Sequence, residues 1–162
     1  MAQTGKSMKG QAPSRIPWPP LLLVAVFVAG WITQRYAPIA WPATLDPIAR
    51  GLGFVLVAVA LGIIGWAAIE MRRASTTILP TAAATTLVIT GPFHFSRNPI
   101  YLADSLLLIG LALIFFQPWI ALLVPVFAGL ITWLAIRPEE QHLEIEFGQI
   151  YRDYKVQTRR WL

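Results

Sequence analysis

The feature that most constrains this chain is a run of 32 residues, Ser105 to Ile136, without one charged side chain. As a single helix it would be about 48 Å long at about 1.5 Å per residue, against a hydrocarbon core of roughly 30 Å. Gln117-Pro118 lies near its middle, and proline stops a helix because it lacks the amide proton and its ring clashes with the turn before it. The run therefore reads as a tight hairpin of two apolar helices, about 98–116 and 119–136. Two further uncharged stretches, Ile16–Gln34 and Gly51–Ile69, are 19 residues each, close to the ~20 that one crossing needs.

The chain is 56% hydrophobic and only 13% charged, where a soluble domain carries about 25% charged residues. Its apolar excess must face lipid. The expectation is an all-α, multi-pass membrane protein of four transmembrane helices, followed by a cytoplasmic amphipathic helix over about 138–155. These make one domain, 16–162, behind a polar, basic tail at 1–15 that reads as disordered. The first apolar stretch reads as an anchor rather than a signal peptide, because no small-x-small site follows it.

Orientation follows from the basic residues. One side of a four-pass layout holds Lys6, Lys9, Arg15, Arg72, Arg73, Arg97, Arg137, Arg152, Lys155, Arg159 and Arg160, and the other only Arg35 and Arg50. The positive-inside rule puts the richer side, and with it both termini, in the cytoplasm. The same rule accounts for the net charge of +5 without a nucleic-acid partner. Trp18, Trp31, Trp41, Trp66, Trp119 and Trp133 fall near span ends, as interfacial aromatics do. With no cysteine and two histidines, the chain has no disulfide and no thiolate- or histidine-built metal site.

The polar chemistry is confined to three cytoplasmic segments. The first, Glu70–Thr90, is rich in threonine and reads as a connecting loop. The second, GPFHFSRNPIYL from Gly91 to Leu102, carries a helix start: asparagine suits the cap and proline the first helical position. Beside Arg97, that positive helix end suits a carboxylate or phosphate. Helical spacing puts Asn98, Tyr101 and Asp104 (or Ser105) on one face. A carboxylate within a span costs about 2.5–3.5 kcal/mol at the centre, so Asp104 is a functional candidate; the alternative is a carboxylate near the interface paired with an arginine. The third segment runs from Arg137 to Leu162. Pro138 opens a helix with Glu139 and Glu140 in its first turn, and Glu140, Leu143, Phe147, Tyr151 and Tyr154 follow helical spacing. Taken alone, this stretch equally fits a membrane-surface helix with solvated acids.

Together these segments resemble the isoprenylcysteine carboxyl methyltransferase and phospholipid methyltransferase superfamily. The resemblance rests on Thr76 or Thr77, Pro80, LVITGPFHFSRNPIYL, an apolar hairpin and EEQHLEIEFGQIYRDY, over about Thr76 to Leu162. It implies an S-adenosylmethionine site at the cytoplasmic ends of the last two spans, roofed by the C-terminal helix. Arg97, Asn98, Pro99 and Tyr101 match the first family element, Glu139 and Glu140 the second, and Tyr151 and Tyr154 the tail. The departures are Asn98, where the prenylcysteine enzymes commonly have histidine, and His94, where an arginine is frequent. The resemblance implies Arg97, Asn98, Pro99, Tyr101, Glu139, Glu140 and Tyr151 as cofactor-binding residues, with His94 at the position of the frequent arginine, and Arg97 and Tyr101 as catalytic. Asp104, the carboxylate within the span, joins the catalytic set as a base or acceptor-orienting group for an ammonium acceptor. Glu139 and Glu140 compete for the cofactor's ammonium or ribose. The acceptor implied is a lipid-like or prenylated molecule entering from the bilayer. Sterol-type membrane reductases that use NADPH share a similar Arg-His-Pro-x-Tyr signature, and a non-enzymatic membrane assembly protein is the remaining alternative.

Overall fold

A computed structural model describes residues 16–74 and 86–162; the expected tail at 1–15 and Thr76, Thr77 and Pro80 lie outside the described residues. The fold is all-helical, and no strand forms among the described residues. Four helices build a bundle: α1 Trp18–Tyr36, α2 Asp46–Arg73, α3 Pro99–Ile114 and α4 Pro118–Ile131. Each has proline in its first turn, where the missing amide proton costs nothing and φ is already helical. Two C-terminal helices follow, α5 Arg137–Phe147 and α6 Gln149–Gln157.

Among the described residues two helices are long and apolar enough to cross a membrane, Ala43–Arg73 and the continuous Pro118–Phe147, and Pro99–Ile114 is a shorter apolar helix. Within the apolar window of Ala43–Arg73 only 17% of residues are buried by the rest of the chain. The core helix of a water-soluble protein would be hidden; here Phe54, Val55, Leu61, Leu122 and Val126 stand more than half exposed. An apolar surface of that extent calls for lipid.

In space the helices follow the order α2, α3, α4, α1. α2 meets α3 at its closest through two glycines. A Cβ on Gly110 would fall 2.9 Å from the Gly53 carbonyl oxygen, and one on Gly53 would fall 2.7 Å from the Gly110 carbonyl oxygen. Helices in lipid gain little from apolar burial against each other, so small residues that let backbones touch hold them together. Ala49, Ala60 and Ala67 continue that buried small-residue stripe on α2. On the other side of α3, Leu108 and Ala112 pack with Ile120, Phe127 and Ile131 of α4 and Val26 of α1.

The hairpin between α3 and α4 turns where Gln117-Pro118 predicts. Phe116 adopts a left-handed φ of 53°, with the Arg50 guanidinium 4.9 Å from its ring centre. At the same end the Trp119 indole donates to the Ala37 carbonyl at 2.7 Å.

Two departures from expectation concern the C-terminal helix. First, α5 is no separate element: the chain runs from α4 through a π turn, Thr132–Ile136, in which the Arg137 amide bonds the Thr132 carbonyl. Pro138 explains it, since its ring crowds the preceding turn and widening the helix to five-residue bonds makes room. Second, the single helix expected over 138–155 breaks at Gly148, whose φ of 57° and ψ of −122° are closed to residues bearing a Cβ. The break turns α6 back across the end of the bundle.

Candidate active site at the polar end of the bundle

The segment before α3 is shaped by Ser96, which is 1% exposed. Its hydroxyl accepts the Asn98 amide proton at 3.1 Å and donates to the Arg160 carbonyl at 3.3 Å. Asn98 stands at the N-cap with Pro99 first in the helix, but its side chain does not cap. Instead its Nδ2 donates to the Arg160 carbonyl at 3.0 Å, because the serine hydroxyl already turns the chain.

Further bonds stitch residues 93–98 to the C-terminal strap 154–160. The Arg97 amide donates to the Arg159 carbonyl at 2.9 Å, Arg97 Nη1 to the Lys155 carbonyl at 3.1 Å and the Tyr154 hydroxyl to the Phe93 carbonyl at 2.5 Å. The Thr158 hydroxyl reaches the His94 carbonyl at 3.4 Å. His94 thus contributes its backbone, while its exposed imidazole lies edge-on to Phe95.

Two charge groups meet on this scaffold. In the first, Glu140 lies between two arginines. Arg97 Nη2 is 3.0 Å from Oε1; Arg160 takes both oxygens, Nε to Oε1 at 3.1 Å and Nη2 to Oε2 at 2.6 Å. The Arg97 and Glu140 side chains are each 9% exposed, so the ion pair is strong only because hydrogen bonds fill its geometry. The bond to Glu140 pushes the Arg160 guanidinium above its usual range, which keeps it charged.

The second group lies about 100° round α5. Glu139 Oε2 accepts the Tyr101 hydroxyl at 3.0 Å. Three residues deeper on the same face of α3, Asp104 is buried, and among the described residues no hydrogen bond or ion pair reaches its carboxylate. The interfacial Asp104–arginine pair that stood as the alternative is therefore not formed. Tyr151 is buried beneath both groups, with Tyr154 at 6.1 Å and Lys155 Nζ 5.9 Å from its ring centre. Burial pushes both phenols above their usual range, so they stay neutral hydrogen-bonding groups.

Three buried polar atoms here have no partner: Arg97 Nε, His142 Nε2 and Glu146 Oε2. Native interiors leave few such atoms unpaired, and these sit beside the two charge groups or on the α5 face that carries Glu139. A donor at Arg97, an acceptor at Glu139 and a buried carboxylate at Asp104 suit a small molecule that bears both charges. S-adenosylmethionine, with its carboxylate, ammonium, ribose and sulfonium, fits that donor set. Among the described residues no cluster suited to a metal ion forms.

The structure thus brings Arg97, Asn98, Tyr101, Glu139, Glu140 and Tyr151 to one end of the bundle. Ser96 and Arg160 were not singled out from the sequence. Ser96, two residues before the cap, carries a local signal, since a serine hydroxyl there can take the cap amide. Arg160 carries none beyond its charge, because its partner lies 20 residues away.

Comparison with known proteins adds an independent finding. The family model described as phospholipid methyltransferase matches residues 48–150, more than half of the chain. No curated protein matches, and no solved structure does.

Proposed function

Since the chain belongs to the phospholipid methyltransferase family, we propose that it is a four-span membrane enzyme that moves a methyl group from S-adenosylmethionine to a lipid-like acceptor. The observation that carries the reading is the convergence of Arg97, Glu139 and Glu140 at one end of the bundle. The layout with both termini in the cytoplasm is supported by the basic-residue asymmetry and by the alternating directions of α1 to α4. The cofactor then enters from the cytoplasm and the acceptor sideways from the bilayer.

When bound, S-adenosylmethionine supplies an activated methyl group on a sulfonium, suited to in-line displacement. Arg97, through its unpartnered Nε, holds the cofactor's carboxylate. Both oxygens of Glu140 are engaged by arginines, so the ammonium or ribose falls to Glu139, whose orientation the Tyr101 hydroxyl fixes. The π turn and Pro138 hold Glu139 at that height. Rate comes chiefly from orientation and exclusion of water.

The unpaired Asp104 favours an amine acceptor over a carboxylate one. A carboxylate attacks without a base, and a second buried negative charge beside Asp104 would repel it. An ammonium is attracted, and must lose a proton before its nitrogen has a lone pair to give. Asp104 would take that proton and leave the nitrogen lone pair free for the methyl group that S-adenosylmethionine would supply. Purified protein incubated with methyl-labelled S-adenosylmethionine, an ethanolamine phospholipid and a farnesylcysteine analogue tests this. Label in the amine lipid is expected. Label in a base-labile ester of the farnesylcysteine would remove Asp104 from the chemistry, and label in neither would sink the reading.

A further inference from the structure

Arg160 lies outside the family match at residues 48–150, yet it makes the shortest ion pair of the site, 2.6 Å to Glu140. Two guanidiniums share this one carboxylate: the Arg160 side chain is 36% exposed, so water partly screens it, while that of Arg97 is 9% exposed and little water screens its charge. With Glu140 gripped by Arg160, the buried Arg97 is the guanidinium left short of a counter-charge, and a buried charge is costly unless one completes it. The donors show where that charge belongs. Arg97 spends Nη1 on the Lys155 carbonyl and Nη2 on Glu140, while its Nε is buried without a partner on a side chain 9% exposed.

We propose that Arg160 is a positioning residue for one small anionic group, a carboxylate or a phosphate, held at Arg97 Nε. By gripping both oxygens of Glu140, Arg160 neutralises the carboxylate that would otherwise cancel Arg97, and so keeps Arg97 effective as an anion donor. It acts through Glu140 rather than by touching the reacting atoms. Because Arg160 rides on the strap that also supplies carbonyls to Ser96 and Asn98, docking of the chain's last residues and formation of the anion site are one event. The inference rests on the methyltransferase reading, in which the anion is either the cofactor's carboxylate or the phosphate of a lipid acceptor.

The test compares dissociation constants of S-adenosylmethionine and its decarboxylated analogue for wild type, Arg160→Gln and Arg160→Lys, with the thermal midpoint of each. If the anion is the cofactor's carboxylate, wild type prefers the carboxylated compound at least tenfold, Arg160→Gln less than threefold, and Arg160→Lys keeps most of the preference. If it is a lipid phosphate, the cofactor preference is absent from all three. Arg160→Gln then raises KM for a phospholipid acceptor at least tenfold while kcat stays within threefold. A variant that weakens every ligand equally, or lowers only the midpoint, would overturn the proposal and leave Arg160 a brace. Should Arg160→Gln fail to fold, a wild type that prefers neither the carboxyl group nor the phosphate overturns it alone. A wild type that binds neither cofactor would bring down the methyltransferase reading itself.

Discussion

The two ends of α3 are held by different physics. At the hairpin end, α3 lies on α2 through Gly53 and Gly110, backbone against backbone, with no polar side chain at the closest point. At the other end, the chain entering α3 is fixed by hydrogen bonds to the C-terminal strap and by the Arg97–Glu140–Arg160 cluster. Shape suffices where lipid surrounds the helix, since apolar burial discriminates little there. Charge takes over at the end where the polar segments gather. Asp104 lies between the two regimes and is stabilised by neither, which is what the proposed role as a base asks of it.

That contrast can be broken from both sides. The largest effect is expected at Asp104. Asp104→Asn should lower kcat for an amine acceptor about 10²–10⁴-fold, the usual share of a general base, while the thermal midpoint in detergent stays near wild type. A fall in stability instead of rate would place Asp104 among the structural groups. Next comes Glu140→Ala, which strands two arginines. Unfolding in detergent should show a loss of about 3–5 kcal/mol, as for breaking a buried ion pair, and a loss under 1 kcal/mol would mean that the strap holds this end without charge.

At the hairpin end, Gly110→Leu drives a side chain into the Gly53 carbonyl and Val57. Overpacking of this kind costs about 1–3 kcal/mol, with binding of S-adenosylhomocysteine unchanged in the folded fraction. The smallest effect, opposite in sign, is Gly62→Ala on the open face of α2, where an added Cβ meets nothing within 4 Å. Replacing a mid-helix glycine there should add about 0.5–1 kcal/mol, measured by the same unfolding assay.

What the sequence makes legible follows the same division. The apolar stems are readable because charge-free windows and first-turn prolines are local signals, and the hairpin at Gln117-Pro118 forms where the 32-residue run requires a break. The polar end is readable in its residue types, since Arg97, Asn98, Tyr101, Glu139 and Glu140 all reach one place. Its wiring is not. Asn98 has the right residue at the right position for a cap, yet it bonds the strap because Ser96 takes over the turn. The break at Gly148 hides inside an amphipathic period that runs on from Glu140 to Tyr154, and only the positive φ reveals it. Arg160 reads as one more cytoplasmic charge until the chain folds back and presents Glu140 to it.

The most direct test of the account is calorimetric titration of the detergent-purified protein with S-adenosylhomocysteine, with NADPH as comparator and Arg97→Gln as control. The account predicts saturable one-to-one binding of S-adenosylhomocysteine, at least tenfold weaker in Arg97→Gln, and no binding of NADPH. Binding of NADPH alone, or of neither compound by a folded protein, would contradict it.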